Sequence, residues 1–197
     1  MTMIKTRLPI ALGLVLGLAG CISFGPKPPA SLLTLTAAQA VPAQASRSAT
    51  AGETIGVLAP AVSQELRTNR VPVRSGETAV AYLKDAQWVE MPGALFGRLL
   101  SETIAARTGR VVLGPGQTEI EPGTSLSGQL QAFGVDASRM DVALVYDAVL
   151  TRSAGRIETR RFEARVPITA VDTANAGPAL NQAANQVAAE VAAWIGG

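Results

Sequence analysis

The sequence predicts a mixed α/β domain, a single unit in which two helices pack on one mixed sheet, placed after an N-terminal leader and tether. Three observations carry that expectation. Apolar residues recur at helical spacing in two stretches, after Pro92 and after Pro178. About six shorter runs, rich in alternating or β-branched apolar residues, surround the first of them. The last runs are joined by hairpin-length turns, which excludes a strictly parallel sheet, because parallel neighbours need a long crossover.

From the N-terminus, Met1 to Arg7 carries Lys5 and Arg7 without an acidic residue, and Pro9 to Leu18 is a wholly apolar run. A bilayer-spanning helix needs about 20 such residues, so this run has the length of a signal-peptide core. Leu18-Ala19-Gly20 then leads directly into Cys21, the only cysteine of the chain. Residues 1–20 are therefore read as a signal peptide and 21–30, rich in Pro and Gly, as a tether. The domain is expected over 31–197. Ser31 to Leu35 alternates and is read as a first strand, and 36–53, without an apolar period, as a linker or long loop.

Thr54 to Ala59, ending at Pro60, predicts a buried strand, and Val62 to Arg70 a turn or one helical turn. Val71 to Arg74 reads as an edge strand, because Pro72 has no amide to give to a central ladder. Thr78 to Leu83 follows as another strand after the Ser75-Gly76 turn. Pro92 suits a first helical position, Leu95, Phe96, Leu99, Leu100, Thr103 and Ile104 share a face, and Gly109 stops the helix. Val111 to Leu113 is a short strand closed by Gly114-Pro115-Gly116. Three long strands follow, over 125–135, 141–151 and 156–168, forming a meander. A last helix opens at Pro178 with Leu180, Ala184, Val187, Val191 and Ile195 as its apolar stripe.

Composition narrows the function. The chain has no histidine and one cysteine, so Ser-His-Asp and Cys-His nucleophile systems, His- or Cys-rich zinc sites and an internal disulfide are all excluded. Removing residues 1–20 takes away two cations and leaves 15 residues of each sign. A neutral chain lacks the clustered Lys and Arg on which nucleic-acid binding rests, so no nucleic-acid partner is expected. Gly114-Pro115-Gly116 lacks the strand, lysine and helix grammar of a phosphate cradle and reads as a turn.

Leu18-Ala19-Gly20-Cys21 resembles the lipobox of bacterial lipoproteins. The resemblance implies diacylglycerol on the Cys21 sulfur, cleavage before Cys21 and acylation of the new amino terminus. Two or three acyl chains anchor stably where one does not. Ile22 stands where an Asp would signal inner-membrane retention, so the resemblance implies an outer-membrane anchor facing the periplasm.

A second resemblance lies between Thr54 and Arg107. Val57-Leu58-Ala59-Pro60, then Gln64 to Arg70, Val71-Pro72-Val73-Arg74, Tyr82 and the helix entry Trp88-Val89-Glu90-Met91-Pro92 follow one another. This resembles the auxiliary lipoproteins of ABC-type transport systems, the PqiC-like family that accompanies MCE proteins. One departure is the missing tyrosine in the first strand. The resemblance implies a non-enzymatic, lipid-anchored periplasmic component that docks on an MCE-domain protein served by an ABC permease and ATPase. The resemblance further implies that the system moves lipids or other hydrophobic molecules between the two membranes, with homo-oligomers of this component in prospect. The competing expectation is a stand-alone lipoprotein that carries lipid itself.

The residues offer few sites. Trp88 is a candidate partner anchor, because Trp is enriched at interface hot spots, with core packing as its other reading. Arg67, Arg70 and Arg74 lie within eight residues and suit anionic headgroups or an acidic partner, or else a solvated loop balanced by Glu65 and Glu77. Arg160, Arg161 and Arg165 form a second basic group. Glu90 is expected to cap the following helix or pair with Arg74. Glu119 and Glu121 share a side of an extended chain, as acid–base chemistry would need, but nothing nearby orients them. No cofactor and no metal centre are expected.

Overall fold

The computed structural model describes residues 31–117, 121–153 and 155–196. The expected signal peptide and the tether as far as Ala30 lie outside them, as does Glu119. The described chain runs β1 (Ile55–Val57), β2 (Ala61–Val62), β3 (Arg70–Ser75), β4 (Ala79–Gln87), α1 (Pro92–Thr108) and β5 (Val112–Leu113). It continues with β6 (Thr124–Asp136), β7 (Asp141–Arg152), β8 (Arg156–Pro167) and α2 (Thr173–Gly196). Together they make one mixed eight-stranded sheet with two helices.

The spine of the sheet is β6. One of its edges pairs antiparallel with β7 along its whole length, from Thr124 opposite Arg152 to Asp136 opposite Asp141. Its other edge receives three short parallel strands in chain order. β1 lies against Thr124–Leu126, β2 against Gln129 and Leu130, and β3 against Val135 and Asp136. Beyond them, β5 extends the sheet from β1 and β4 from β3, while β8 closes the opposite side on β7. The hairpin meander expected for the last three strands is present, and so is the mixture of parallel and antiparallel pairing.

The sheet's two faces follow strand alternation. Val142, Leu144, Tyr146, Ala148 and Leu150 of β7, with Phe162, Ala164 and Val166 of β8, are buried under the helices. The helices match that face. Leu95, Phe96, Leu99, Leu100, Thr103 and Ile104 of α1 are buried, as the spacing predicts, and Gly109 caps the helix with φ 71°. Along α2 the predicted stripe of Leu180, Ala184, Val187, Val191 and Ile195 is buried, and small neighbours such as Ala183 and Ala188 let it sit close to α1. Phe96 meets Tyr146 edge-on, with ring centroids 5.3 Å apart.

Three expectations are corrected. β3 is not an edge strand, since it lies between β4 and β6. Pro72 is tolerated there because the β3–β4 register shifts between Arg70 and Pro72, and β6 pairs only with Val73 and Arg74. The last helix begins at Thr173, ahead of Pro178, with Asp172 accepting a bond from the Asn175 amide at 2.8 Å. The proline sits early enough that the apolar packing of the later turns holds the helix on. The segment expected as strand 31–35 makes one parallel bridge, Leu33 to Trp88.

That segment and the expected linker form a strap over the helices. The amide of Thr36 donates to Asn181 Oδ1 at 2.9 Å, and that of Ala38 to Asn185 Oδ1 at 2.7 Å. Asn185 Nδ2 donates back to the Thr36 carbonyl at 2.9 Å. Two asparagines one helical turn apart thus supply side-chain amides where a strand would supply backbone. Farther on, Arg47 donates to the Ala105 carbonyl at 2.8 Å, tying the strap to the end of α1.

Candidate functional site

The helices and strap occupy one face of the sheet, and the other face is left to solvent. Asp147 and Val149 of β7 are half-buried there, beside exposed Thr159, Arg161, Glu163 and Arg165 of β8. A shallow groove of about 290 Å³ crosses its end. Ala132 and Gly134 of β6 and Ala143 and Val145 of β7 contribute to its lining, with Arg74 of β3 and Arg165 of β8. The floor is low because its side chains are small. At Gly134 this is obligatory: a Cβ there would lie 2.4 Å from the Pro72 carbonyl oxygen, where β3 crosses close to β6.

Charge around the groove is paired in advance. Arg74 meets Glu65 at 2.6 Å. Arg165 reaches Glu163 at 2.7 Å and Asp141 at 3.1 Å, with Asp136 at 3.7 Å. Burial works against the Arg165 charge, but its hydrogen bonds to Glu163 and Asp141 outweigh that and raise its pKa. Farther along the face, Arg161 grips both oxygens of Asp147 at 2.6 and 2.7 Å. That hydrogen bond, opposed by partial burial and helped by Gln131, holds the Asp147 carboxyl below its usual value. An arrangement of this kind holds oriented, mutually paired charges on the open face. Among the described residues, no group of three or more carboxylates or thiols could hold a metal ion.

The residues singled out from sequence are dispersed. Trp88 is 2% exposed and stacks on Phe133 at 5.1 Å, so its indole is enclosed in the core and offers no surface to a partner. Its amide donates to the Asn69 carbonyl at 2.7 Å, and its Nε1 is buried without a partner among the described residues. Arg67, Arg70 and Arg74 do not act as one group. Arg74 turns to Glu65 and the groove, Arg70 lies over the Tyr82 ring at 4.5 Å, and Arg67 is exposed with no ion pair among the described residues. Glu90 pairs with Arg98, not with Arg74, because the second turn of α1 brings Arg98 over it. Arg160 lies over Phe162 at 5.0 Å, apart from Arg161 and Arg165, because alternation along β8 puts it on the helix side. Cys21, Leu18, Ala19, Gly20 and Glu119 lie outside the described residues, and Glu121 is exposed in a loop.

The groove escaped the sequence reading. Its only linear signals are the small residues at alternate positions of β6 and β7, which read equally well as ordinary strand positions. The paired asparagines of α2 were legible as an i, i+4 repeat of polar residues in an alanine-rich helix, but their partner in the strap was not.

Fold and surface together define a filled α/β core with one open sheet face on which charges are paired in advance. The chain belongs to the ABC-type transport auxiliary lipoprotein family, whose model matches residues 33–192. Among solved structures, it is similar to protein XCC0632 from Xanthomonas campestris, of the DUF330 family, with a TM-score of 0.61 and 19% identity over 86% of this chain and 93% of that one. A second crystal structure, of an uncharacterised protein, has a TM-score of 0.60 and 15% identity over 74% of this chain and 90% of the other. At these identities the structures establish the shared fold. No curated protein matches the chain.

Proposed function

We propose that this chain is a non-enzymatic, lipid-anchored periplasmic component of an MCE-linked ABC transport system moving lipids or other hydrophobic molecules between the two membranes. The observation that carries the reading is the family match over residues 33–192. Acylated Cys21 holds the chain in the outer membrane, consistent with Ile22 in place of Asp after it. ATP hydrolysis belongs to a separate subunit, and the contribution of this chain is positional.

Docking uses the open sheet face. The groove receives a segment of the MCE-domain protein, and that segment is mildly basic, because the four carboxylates of Glu65, Asp136, Asp141 and Glu163 meet the three guanidiniums of Arg74, Arg139 and Arg165 around it. Charge pairs fixed beforehand favour orientation and partner choice over raw affinity. Trp88 acts indirectly, by packing the chain entry against Phe133.

The test is an affinity pull-down of the tagged, full-length protein from crosslinked envelopes, read by mass spectrometry. Recovery of an MCE-domain protein with its permease and ATPase is expected, reduced by Glu65→Lys. Recovery of the chain alone with bound lipid overturns the reading and favours a stand-alone carrier.

A further inference from the structure

The tether enters the fold at a place with unusual surface chemistry. Leu33 pairs with Trp88, and the Val89 amide donates to the Leu33 carbonyl at 2.8 Å. Trp88 is buried and Leu33 packs on the core beside it, so alternation turns their neighbours outward. Leu32 is 51% exposed, Val89 51% and Met91 53%. Three large apolar side chains therefore stand out of one short junction, whose nearest carboxylate, Glu90, is neutralised by Arg98.

A basic rim adjoins them. Asn69 accepts the Trp88 amide, which places the 67–70 turn against the same junction. Arg67 and Arg70 flank Asn69, are exposed, and form no ion pair among the described residues. Apolar side chains rimmed by exposed guanidiniums without a carboxylate partner among the described residues match an interfacial membrane contact, in which the former enter the headgroup–acyl boundary and the latter meet anionic headgroups.

The chain length limits how far the junction lies from the anchor. Cys21 and Ser31 are ten residues apart, so the link spans at most about 35 Å when fully extended. A domain of this size is about 40 Å across. The junction is the part of the domain that the anchor keeps nearest the bilayer.

We propose that the end of the domain bearing Leu32, Val89 and Met91 rests in the headgroup region of the membrane that holds acylated Cys21, with Arg67 and Arg70 against anionic lipid. The proposal rests on the acyl-anchor reading of Cys21. It adds an orientation: the strap and α2 rise from the membrane side, and the far end of the β7–β8 hairpin points away from it.

The experiment uses full-length protein, processed in a bacterial host and reconstituted into phosphatidylethanolamine–phosphatidylglycerol vesicles containing nitroxide-labelled lipid. Val89→Cys and Met91→Cys each carry an environment-sensitive fluorophore, and acylated Cys21 offers no competing thiol. Ile157→Cys is the control, 65% exposed and opposite Thr151 at the end of the sheet farthest from the Phe133–Trp88 stack. Quenching about twofold or more stronger at 89 and 91 than at 157 is expected, weakening when phosphatidylglycerol is left out or when Arg67 and Arg70 become Gln. Equal quenching at all three positions overturns the proposal. Quenching that ignores both lipid charge and the arginine changes overturns the part assigned to Arg67 and Arg70. Intact mass is measured on the same samples: an unmodified Cys21 removes the anchor reading and the proposal with it, whereas an acylated Cys21 without differential quenching removes the proposal alone.

Discussion

Replacing Asn185 with alanine should loosen the strap while leaving the sheet and the buried stripe of α2 in place. The substitution removes the acceptor for the Ala38 amide and the donor to the Thr36 carbonyl, two bonds of 2.7 and 2.9 Å. At a net value of about 1 kcal/mol each, strap opening becomes about 2 kcal/mol easier. That is roughly a thirtyfold rise in the open population. Alanine also favours helix over asparagine by up to about 0.7 kcal/mol, so global stability falls by less than the local effect. Amide hydrogen exchange separates the two. The Thr36 and Ala38 amides should exchange roughly thirtyfold faster, while amides of β6 and β7 change only with global stability. Asn181→Ala removes one strap bond, that from the Thr36 amide, and should give roughly a fivefold effect. Exchange at Thr36 and Ala38 within about twofold of the unmodified protein, at intact helix content, would refute the clamp.

Other outcomes follow from single sites. Gly128→Ala should cost about 3 kcal/mol in thermal or denaturant unfolding, because Gly128 has φ 153° and a Cβ there would lie 2.2 Å from the Asp147 carbonyl oxygen. Tyr146 is fully buried and donates to the Ser127 carbonyl at 2.8 Å, so Tyr146→Phe should lose about 1–2 kcal/mol by leaving that carbonyl unpaired. Burial also raises the Tyr146 pKa far above its ordinary value of 10.0. The unfolded chain therefore ionises first, and stability present below that pH falls as pH rises beyond it; tyrosinate absorbance should show Tyr146 ionising only with unfolding. The Asp147 pKa is lowered by Arg161 from 3.8, so its contribution is present above that pH and lost as pH falls through the depressed value. Arg161→Gln should flatten acid unfolding curves in that window, and an unchanged acid midpoint would count against the pair.

Some of the architecture was readable residue by residue. Pro92, the apolar positions from Leu95 to Ile104 and Gly109 delimit α1, because start signal, periodicity and stop are all local properties of the chain. The alternation of Val142, Leu144 and Tyr146 likewise gives β7 its inward face, and the short turns around Asp136–Arg139 and Gly155 give the meander. The family was visible too, in the order of short motifs from Val57 to Pro92. Leu18-Ala19-Gly20-Cys21 resembles a lipobox, and the anchor that the resemblance implies lies outside the described residues.

What linear patterning leaves open is which segments meet. Val71-Pro72-Val73 reads as an edge because proline lacks an amide, yet a register shift places it between β4 and β6 without requiring that amide. Trp88 has the residue type of a hot spot, but Phe133, 45 positions away, encloses it. Arg67, Arg70 and Arg74 are neighbours in sequence and separate in space, because strand alternation and the Glu65 turn send Arg74 to the groove and leave Arg67 without an ion pair among the described residues. The strap exists only because Asn181 and Asn185 come to lie under residues about 145 positions earlier. Local sequence determines the faces of each element through periods of 3.6 and 2. The partners of those faces depend on long-range packing and hydrogen-bond satisfaction, which the folded chain resolves all at once.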